Sequence, residues 1–324
     1  MTLEEALHYI HAVCWKGSIP GLERINALLD EMGHPEQTLK FVHVTGTNGK
    51  GSTCAMIASV LRKAGYRTGL YTSPYITRFN ERMQINGEMI PDEELCAITA
   101  EIKPLADRIF EQPTEFEMVT AIAFAWFARR QCDIVVCEVG MGGEFDATNV
   151  IGAPEAAVLC NIGLDHTEVL GDTLEKIAAT KSGIIKSGCD AVLYRATPGV
   201  EAVVEQRCRE VGAALHKVDF AGLHLRSRSL EGQIFDFGGL TGLHLPLLGE
   251  ERPPEPTLNQ RMTALRDQIY EMCEEKGEWA AMPQARSQAM HYMKGLHGAA
   301  ALRRYCSMLE HFSDVDTLIE AVYR

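Results

Sequence analysis

The sequence predicts an α/β fold: a P-loop, three-layer domain built on a mainly parallel sheet, followed by a small all-α domain. Three observations predict it. From Thr2 to about Gly249, apolar runs of strand length alternate with stretches of helix length, the rhythm of a parallel sheet covered on both faces. A glycine-rich loop, Thr45-Gly46-Thr47-Asn48-Gly49-Lys50-Gly51-Ser52-Thr53, stands between one such run and one such stretch. Beyond Glu251-Arg252-Pro253-Pro254-Glu255-Pro256 no strand signal returns, and a proline-rich break with a change of class on either side reads as a domain boundary. The expected domains are therefore residues 1–250 and 251–324.

Each element follows from its own residues. Phe41–Val44, Thr68–Tyr71, Asp133–Val139, Ala156–Asn161 and Asp190–Tyr194 are short apolar runs and are expected to be buried strands. Ser52–Ala64, Asp92–Phe110, Glu117–Arg130, Thr173–Ile185 and Val200–Val211 are expected to be the helices around them. From Val218 to Leu248 the pattern changes to short alternating runs such as Gly222–Arg228 and Gln233–Phe237, expected to be antiparallel strands.

Composition narrows the class. The chain is 46% hydrophobic and 23% charged over 324 residues, the balance of a globular protein with room for two domains. No apolar run is long enough to span a bilayer, and Met1-Thr2-Leu3-Glu4-Glu5 lacks the basic and apolar regions of a signal peptide. A cytoplasmic protein is expected, with no membrane partner. None of the ten cysteines forms a C-x-x-C pair, so they read as reduced, mostly buried thiols. A formal charge of -13 argues against broad, nonspecific nucleic-acid binding.

The glycine loop carries the chemistry. Strand, glycine loop and helix is the geometry that holds a nucleotide's phosphates, because loop N–H groups and the positive end of the helix point at the anion. Thr47, Asn48, Gly49, Lys50, Gly51, Ser52 and Thr53 are the expected nucleotide contacts. Lys50 would meet the outer phosphates, and Ser52 or Thr53 would offer a hydroxyl to Mg²⁺. Gly51 separates the lysine from the hydroxyls, which is not the spacing of the common nucleoside-triphosphatase loop. The alternative is an ordinary glycine turn. Glu138 ends an apolar run, where a carboxylate can hold Mg²⁺ or simply be a solvated strand end. His166, in Asn161–Thr167, reads as a metal ligand, an acid-base group or a packed histidine. Lys181 reads by composition as a surface lysine.

Taken together, the segments from Pro20 to Gly188 closely resemble the folylpolyglutamate synthase/dihydrofolate synthase family, a branch of the Mur-type ATP-dependent amide ligases. The resemblance rests on Pro20–Ile25, Val42–Ser52 (VHVTGTNGKGS), Tyr71–Pro74, Arg78–Arg82 and Thr114–Glu117 leading into Thr120-Ala121. It continues through Val139–Asn149 (VGMGGEFDATN), Asn161–Leu170 (NIGLDHTEVL) and Lys181–Lys186 (KSGIIK). It implies that ATP activates a folate carboxylate, of tetrahydrofolate or dihydropteroate, as an acyl phosphate, and that the amine of L-glutamate then displaces phosphate. It also implies that Ser52 and Glu138 help bind Mg²⁺, that His166 binds a second Mg²⁺, and that Lys50 contacts the ATP phosphates. Lys181 matches the lysine that becomes carbamylated and so metal-binding. Lys50, His166 and Lys181 are then the expected catalytic set. Ser73 and Pro74 belong to a loop near the active site, and Arg24 lies where the pterin is expected. Glu144-Phe145 departs from the family's usual Arg-Leu at that place.

After Glu250 the family's second α/β domain, with its His-Gln and Asp-Gly-Ala-His-Asn motifs, is not found in the remaining 74 residues. Pro256–Met262, Cys273–Glu278, Ala285-Arg286, Tyr292–Leu296 and Gly298–Arg303 instead resemble the C-terminal helical domain of bacterial tRNA-dihydrouridine synthases. That resemblance implies tRNA as a partner of the tail, with Arg286 and Lys294 as phosphate contacts; a plain helical bundle is the alternative. Pro283 is expected to limit where a helix can run. Beside the ligase, the sequence therefore admits a noncatalytic MgATP-binding module or a chimeric remnant.

Overall fold

The computed structural model describes residues 1–12, 20–165, 167–229, 232–238, 240–246, 257–293, 295–296 and 298–323. It divides into two compact units: Met1–Tyr75 with Asn80–Val218, and Ile76–Phe79 with Asp219–Arg324. The break expected at Gly249-Glu250 and the following proline-rich stretch lie outside the described residues.

The first unit begins with α1 (Leu3–His11) and α2 (Glu23–Met32). Thr2 and Glu5 close a reciprocal capping box on α1, and Gly33, at φ 76, ends α2 in the left-handed conformation that favours glycine. Next come β1 (Phe41–Thr45), α3 (Lys50–Lys63) and β2 (Thr68–Tyr71). A hairpin of β3 (Met83–Ile85) and β4 (Glu88–Met89) turns at Asn86-Gly87, both at positive φ. The chain continues through α4 (Asp92–Ala106), α5 (Glu115–Arg129), β5 (Ile134–Glu138), β6 (Ala156–Leu159), α6 (Thr167–Leu170) and α7 (Leu174–Ser182). It closes with β7 (Asp190–Leu193), α8 (Pro198–Val211) and β8 (Ala214–Lys217). These strands form one sheet in the order β4-β3-β2-β5-β1-β6-β7-β8. From β2 to β8 the pairings are parallel; only the β3 and β4 edge is antiparallel.

Side-chain alternation divides the core into two. Val42 and Val44 of β1, Val136 of β5 and Cys160 after β6 pack with Cys54 of α3 on one face. Phe41 meets Phe124 of α5 edge-on on the other face, with ring centroids 5.3 Å apart. Farther along that second face, Ala157, Leu159, Ala191 and Leu193 pack with Ile184, Ile185, Val204 and Cys208. Helix α5 is apolar almost all round and buried from Glu117 to Phe127, as expected of a helix enclosed by its neighbours. The α/β fold with a mainly parallel sheet stands as the sequence implied.

The second unit holds an antiparallel sheet, β11 (Leu240–Pro246), β10 (Gly232–Phe237) and β9 (His224–Arg228). It also holds α9 (Leu258–Lys276), α10 (Glu278–Tyr292), α11 (Ala299–Cys306) and α12 (Phe312–Val322). Met262, Leu265, Ile269, Met282, Leu302, Val315 and Leu318 make the helical core. Contrary to expectation, α10 runs through Pro283. Pro283 leaves the Trp279 carbonyl without its helical N–H donor, and Trp279 is an exposed residue. Arg286 donates from Nε to the carbonyl of Leu309 at 2.8 Å and braces the bundle. Lys294 lies outside the described residues. Among the described residues no helix is long and apolar enough to cross a membrane.

Two glycines decide how closely the loop after β5 approaches the end of α7. A Cβ on Gly143 would stand 2.7 Å from the Lys181 carbonyl oxygen, and one on Gly183 would stand 2.5 Å from Cβ of Glu144. The replacement Gly183→Ala is therefore expected to cost about 1–3 kcal/mol through overpacking. Gly152→Ala, whose Cβ meets nothing within 4 Å, should change little. The urea midpoints of the two variants check this.

Candidate active site

The site forms where β1, β5 and β6 end. Gly46 has φ 153, and a Cβ there would lie 2.7 Å from Cβ of Cys160, so only glycine lets the chain leave β1 this close to β6. Thr47 is clasped by the segment that follows β6. Its N–H donates to the Asn161 carbonyl at 2.7 Å, and its hydroxyl lies 3.0 Å from both the carbonyl and the N–H of Gly163. Gly49, at φ 85, turns the chain into α3, whose first residue is Lys50. Asn48, Gly49 and Ser52 are exposed, while Lys50, Gly51 and Thr53 are half-buried. The N–H groups of the first helical turn and Lys50 thus come together at one accessible spot, an arrangement suited to an anion.

Glu138 comes to the same spot from β5. Its register with Val44 places it on the α3 side of the sheet, and Oε2 would lie 3.5 Å from a Cβ on Gly51. The Ser73 N–H donates to that oxygen at 3.1 Å, which is how the Ser73-Pro74 segment, joined by a cis peptide bond, reaches the site. Burial raises the Glu138 carboxyl above the usual range, with the Ser73 N–H and the Lys50 charge acting the other way.

Lys181 is no surface residue. It is 3% exposed, and its amine donates to the Gly46 carbonyl at 3.0 Å. Burial, aided by the Lys50 charge, brings its pKa down to about 8. A deeply buried lysine beside another cation is a less protonated, more nucleophilic amine than a surface one. His166 lies outside the described residues.

On the opposite face of the sheet a cavity opens among Phe116, Met141, Phe145, Asp146, Leu170 and Thr180. One of its two buried carboxylates, Asp146, accepts the Met141 N–H at 2.8 Å, the Thr148 N–H at 3.0 Å and the Thr148 hydroxyl at 2.5 Å. Burial raises its carboxyl, and these donors oppose the shift. Thr114 and Glu117, reciprocal caps of α5, also line the cavity. Arg24 is not among the lining residues. It lies buried behind the wall, with Nη2 3.0 Å from Oε1 of Glu117 and Nε donating to Oε2 at 3.1 Å. The structure therefore brings together the glycine loop, Glu138, Ser73 and Lys181, and sets Arg24 to hold the wall. Sequence reasoning gave no separate role to Asp146, Thr148, His43 or Lys186. The last donates to the carbonyls of Asn149 and Ile151. The signal for Asp146 was its place in Val139–Asn149, just after the glycines at 140, 142 and 143.

The sequence profile of the Mur ligase middle domain matches residues 44–252. Folylpolyglutamate synthase of Lacticaseibacillus casei is 37% identical over 295 residues, covering 88% of this chain and 67% of that protein. The chain belongs to the folylpolyglutamate synthase/dihydrofolate synthase branch of the Mur ligase family. The dihydrofolate synthase/folylpolyglutamate synthase of Bacillus subtilis (strain 168) is 43% identical over 226 residues, 68% of this chain and 51% of that protein. The apo form of L. casei FPGS superposes with a TM-score of 0.71 at 32% identity, over 99% of this chain and 72% of that one. A solved FPGS-AMPPCP-folate complex gives a TM-score of 0.70 at the same identity and coverage. This family member thus spans about half of the B. subtilis relative and two thirds of the L. casei one. None of these relatives is a tRNA-modifying enzyme, and the tail's resemblance to one finds no support in them.

The Arg24–Glu117 pair should respond sharply to loss of one partner. Arg24→Met leaves the Glu117 charge buried and should cost about 3–5 kcal/mol, with partial recovery in Arg24→Met/Glu117→Gln. Chemical denaturation of the single and double variants reads both values.

Proposed function

We propose that the chain binds MgATP at the Gly46–Thr53 loop and uses it to activate a folate carboxylate, which L-glutamate then attacks to form an amide. The observation that carries the proposal is the convergence of Lys50, the α3 N-terminus and the buried Glu138 at one accessible spot. Relatives named folylpolyglutamate synthase supply the substrate class.

The residues present fit Mg²⁺. Glu138 and Ser52 offer hard oxygen donors beside the phosphate site, and burial alone leaves the Glu138 carboxylate poorly stabilised. A cation bound mainly by phosphate oxygens and water needs only one or two such protein donors. The metal would supply charge neutralisation on the transferred phosphoryl group. Lys50 and the loop N–H groups hold the phosphates in line and stabilise the charge that develops on them. The folate carboxylate oxygen takes the γ-phosphoryl group and ADP leaves. The glutamate amine then attacks the acyl carbon, phosphate departs, and the amine's proton is lost to solvent or a nearby base.

Lys181 stands beside the loop through its bond to the Gly46 carbonyl, and we assign it, with His166, a metal-binding role on the family resemblance alone. The depressed pKa of Lys181 favours the neutral amine that carbamylation requires. We assign the Phe116–Asp146 cavity to the pterin ring: it offers aromatic and aliphatic walls for a flat ring and, beside the Glu117 carboxylate already engaged by Arg24, the Asp146 carboxylate for ring N–H donors. Ser73-Pro74 adjoins the phosphate side by its bond to Glu138, and Arg24 supports the cavity through Glu117.

Purified chain with MgATP is expected to release ADP only when tetrahydrofolate or dihydropteroate and glutamate are added. ATP binding with no ADP release under any of these conditions would defeat the ligase reading and leave a nucleotide-binding module. Lys50→Ala should weaken nucleotide binding about 10- to 100-fold, the loss of charge-assisted hydrogen bonds, with an unchanged unfolding midpoint. Unaltered binding by calorimetry would remove the phosphate-loop assignment.

A further inference from the structure

His43 is the middle residue of β1, 0% exposed, in a strand where an apolar side chain would be the ordinary occupant. It faces the helix α5 side of the sheet, as Phe41 does, and away from the phosphate loop. Burial, with the Lys186 charge acting in the same sense, brings its pKa down to about 3, so the ring is neutral at physiological pH.

Its hydrogen bonds allow a single arrangement. The Thr148 hydroxyl oxygen lies 2.8 Å from Nε2 of His43 and 2.5 Å from Oδ1 of Asp146. A carboxylate has only lone pairs to offer, so the hydroxyl proton goes to Asp146. The same oxygen must then accept from the ring, which places the imidazole proton on Nε2. Nδ1 is left as a bare acceptor, buried and with no hydrogen-bond partner among the described residues. The hydrogen bond that the ring does make is the one at Nε2. What it does is fix the rotation of the Thr148 hydroxyl. That hydroxyl and the Thr148 N–H together hold Oδ1 of Asp146, while the Met141 N–H holds Oδ2. The carboxylate cannot turn without breaking bonds at both ends, and it stands in the cavity wall.

We propose that His43 is a positioning residue for substrate: acting through Thr148, it sets the orientation in which the Asp146 carboxylate meets the N–H groups of a pterin ring. This rests on the assignment of the Phe116–Asp146 cavity to the pterin. His43 touches neither nucleotide nor pterin, and its effect is confined to the pterin half of the site.

The test is calorimetric titration of the full chain with dihydropteroate and, separately, with MgATP. His43→Leu and Thr148→Val should each weaken dihydropteroate binding about tenfold, the scale of one hydrogen bond to a charged group, and leave MgATP binding within about twofold. His43→Gln, whose amide N–H can still donate to Thr148, should restore most of the loss. His43→Leu/Asp146→Asn should bind no more weakly than Asp146→Asn alone, because both act through one carboxylate. Wild-type dihydropteroate affinity in both His43→Leu and Thr148→Val overturns the proposal. So does equal weakening for the two ligands, or a His43→Gln variant no better than His43→Leu. If Asp146→Asn and Phe116→Ala bind dihydropteroate like the wild type, the cavity assignment itself fails. If Asp146→Asn weakens binding and His43→Leu does not, only the role of His43 fails.

Discussion

The site depends on the period-two alternation of its two central strands. β1 and β5 lie side by side in register, Val44 opposite Glu138 and His43 opposite Cys137. Neighbouring residues on each strand therefore serve opposite faces of the sheet. One face receives Glu138 and the glycine loop leading into α3. The other receives His43, the Thr148-Asp146 pair and the cavity beneath α5. The proposed phosphate half and the proposed ring half thus lie on opposite faces of the sheet, at the carboxyl ends of parallel strands where open sheets place their ligands.

Buried polar groups hold these halves in place, and each has a partner that explains its burial. Lys181 ties the Gly46 carbonyl to α7. Lys186, itself half-buried, ties the Asn149 carbonyl to the turn before β7. Arg24 ties α2 to the cap of α5. Such contacts are poor sources of net stability, since desolvation offsets most of what they contribute. Their value is geometric. They fix backbone carbonyls and loops that apolar packing alone would leave free to slide. The glycines of the 140–143 loop and Gly183 act with them, allowing backbones to meet at distances no side chain would permit.

Much of this was legible in the residues. The strands at Phe41, Thr68, Ala156 and Asp190 begin where the apolar runs begin, because a buried parallel strand must be apolar on both faces. The loop Gly46–Thr53 was legible because phosphate binding needs glycine, lysine and hydroxyl in one order. β8 was not: Ala214–Lys217 is half-polar and sits at the sheet edge, where one side needs no burial. The β3–β4 hairpin was passed over because its strands are only three and two residues long. Helix ends ran long in the reading, as at α4, expected to Phe110 and ending at Ala106. Local pattern does not reveal where capping wins.

The sequence by itself indicated the central parallel strands and the glycine loop, each carried by contiguous residues, and its ordered motifs resembled the family that the comparisons then showed. Only the tertiary structure decided what Lys181, Arg24 and His43 are. A lysine in a helix, an arginine in a helix and a histidine in a strand carry no local mark of burial. Their burial and hydrogen-bond partners, roughly 90 to 135 residues away, come together only when the sheet and its loops close.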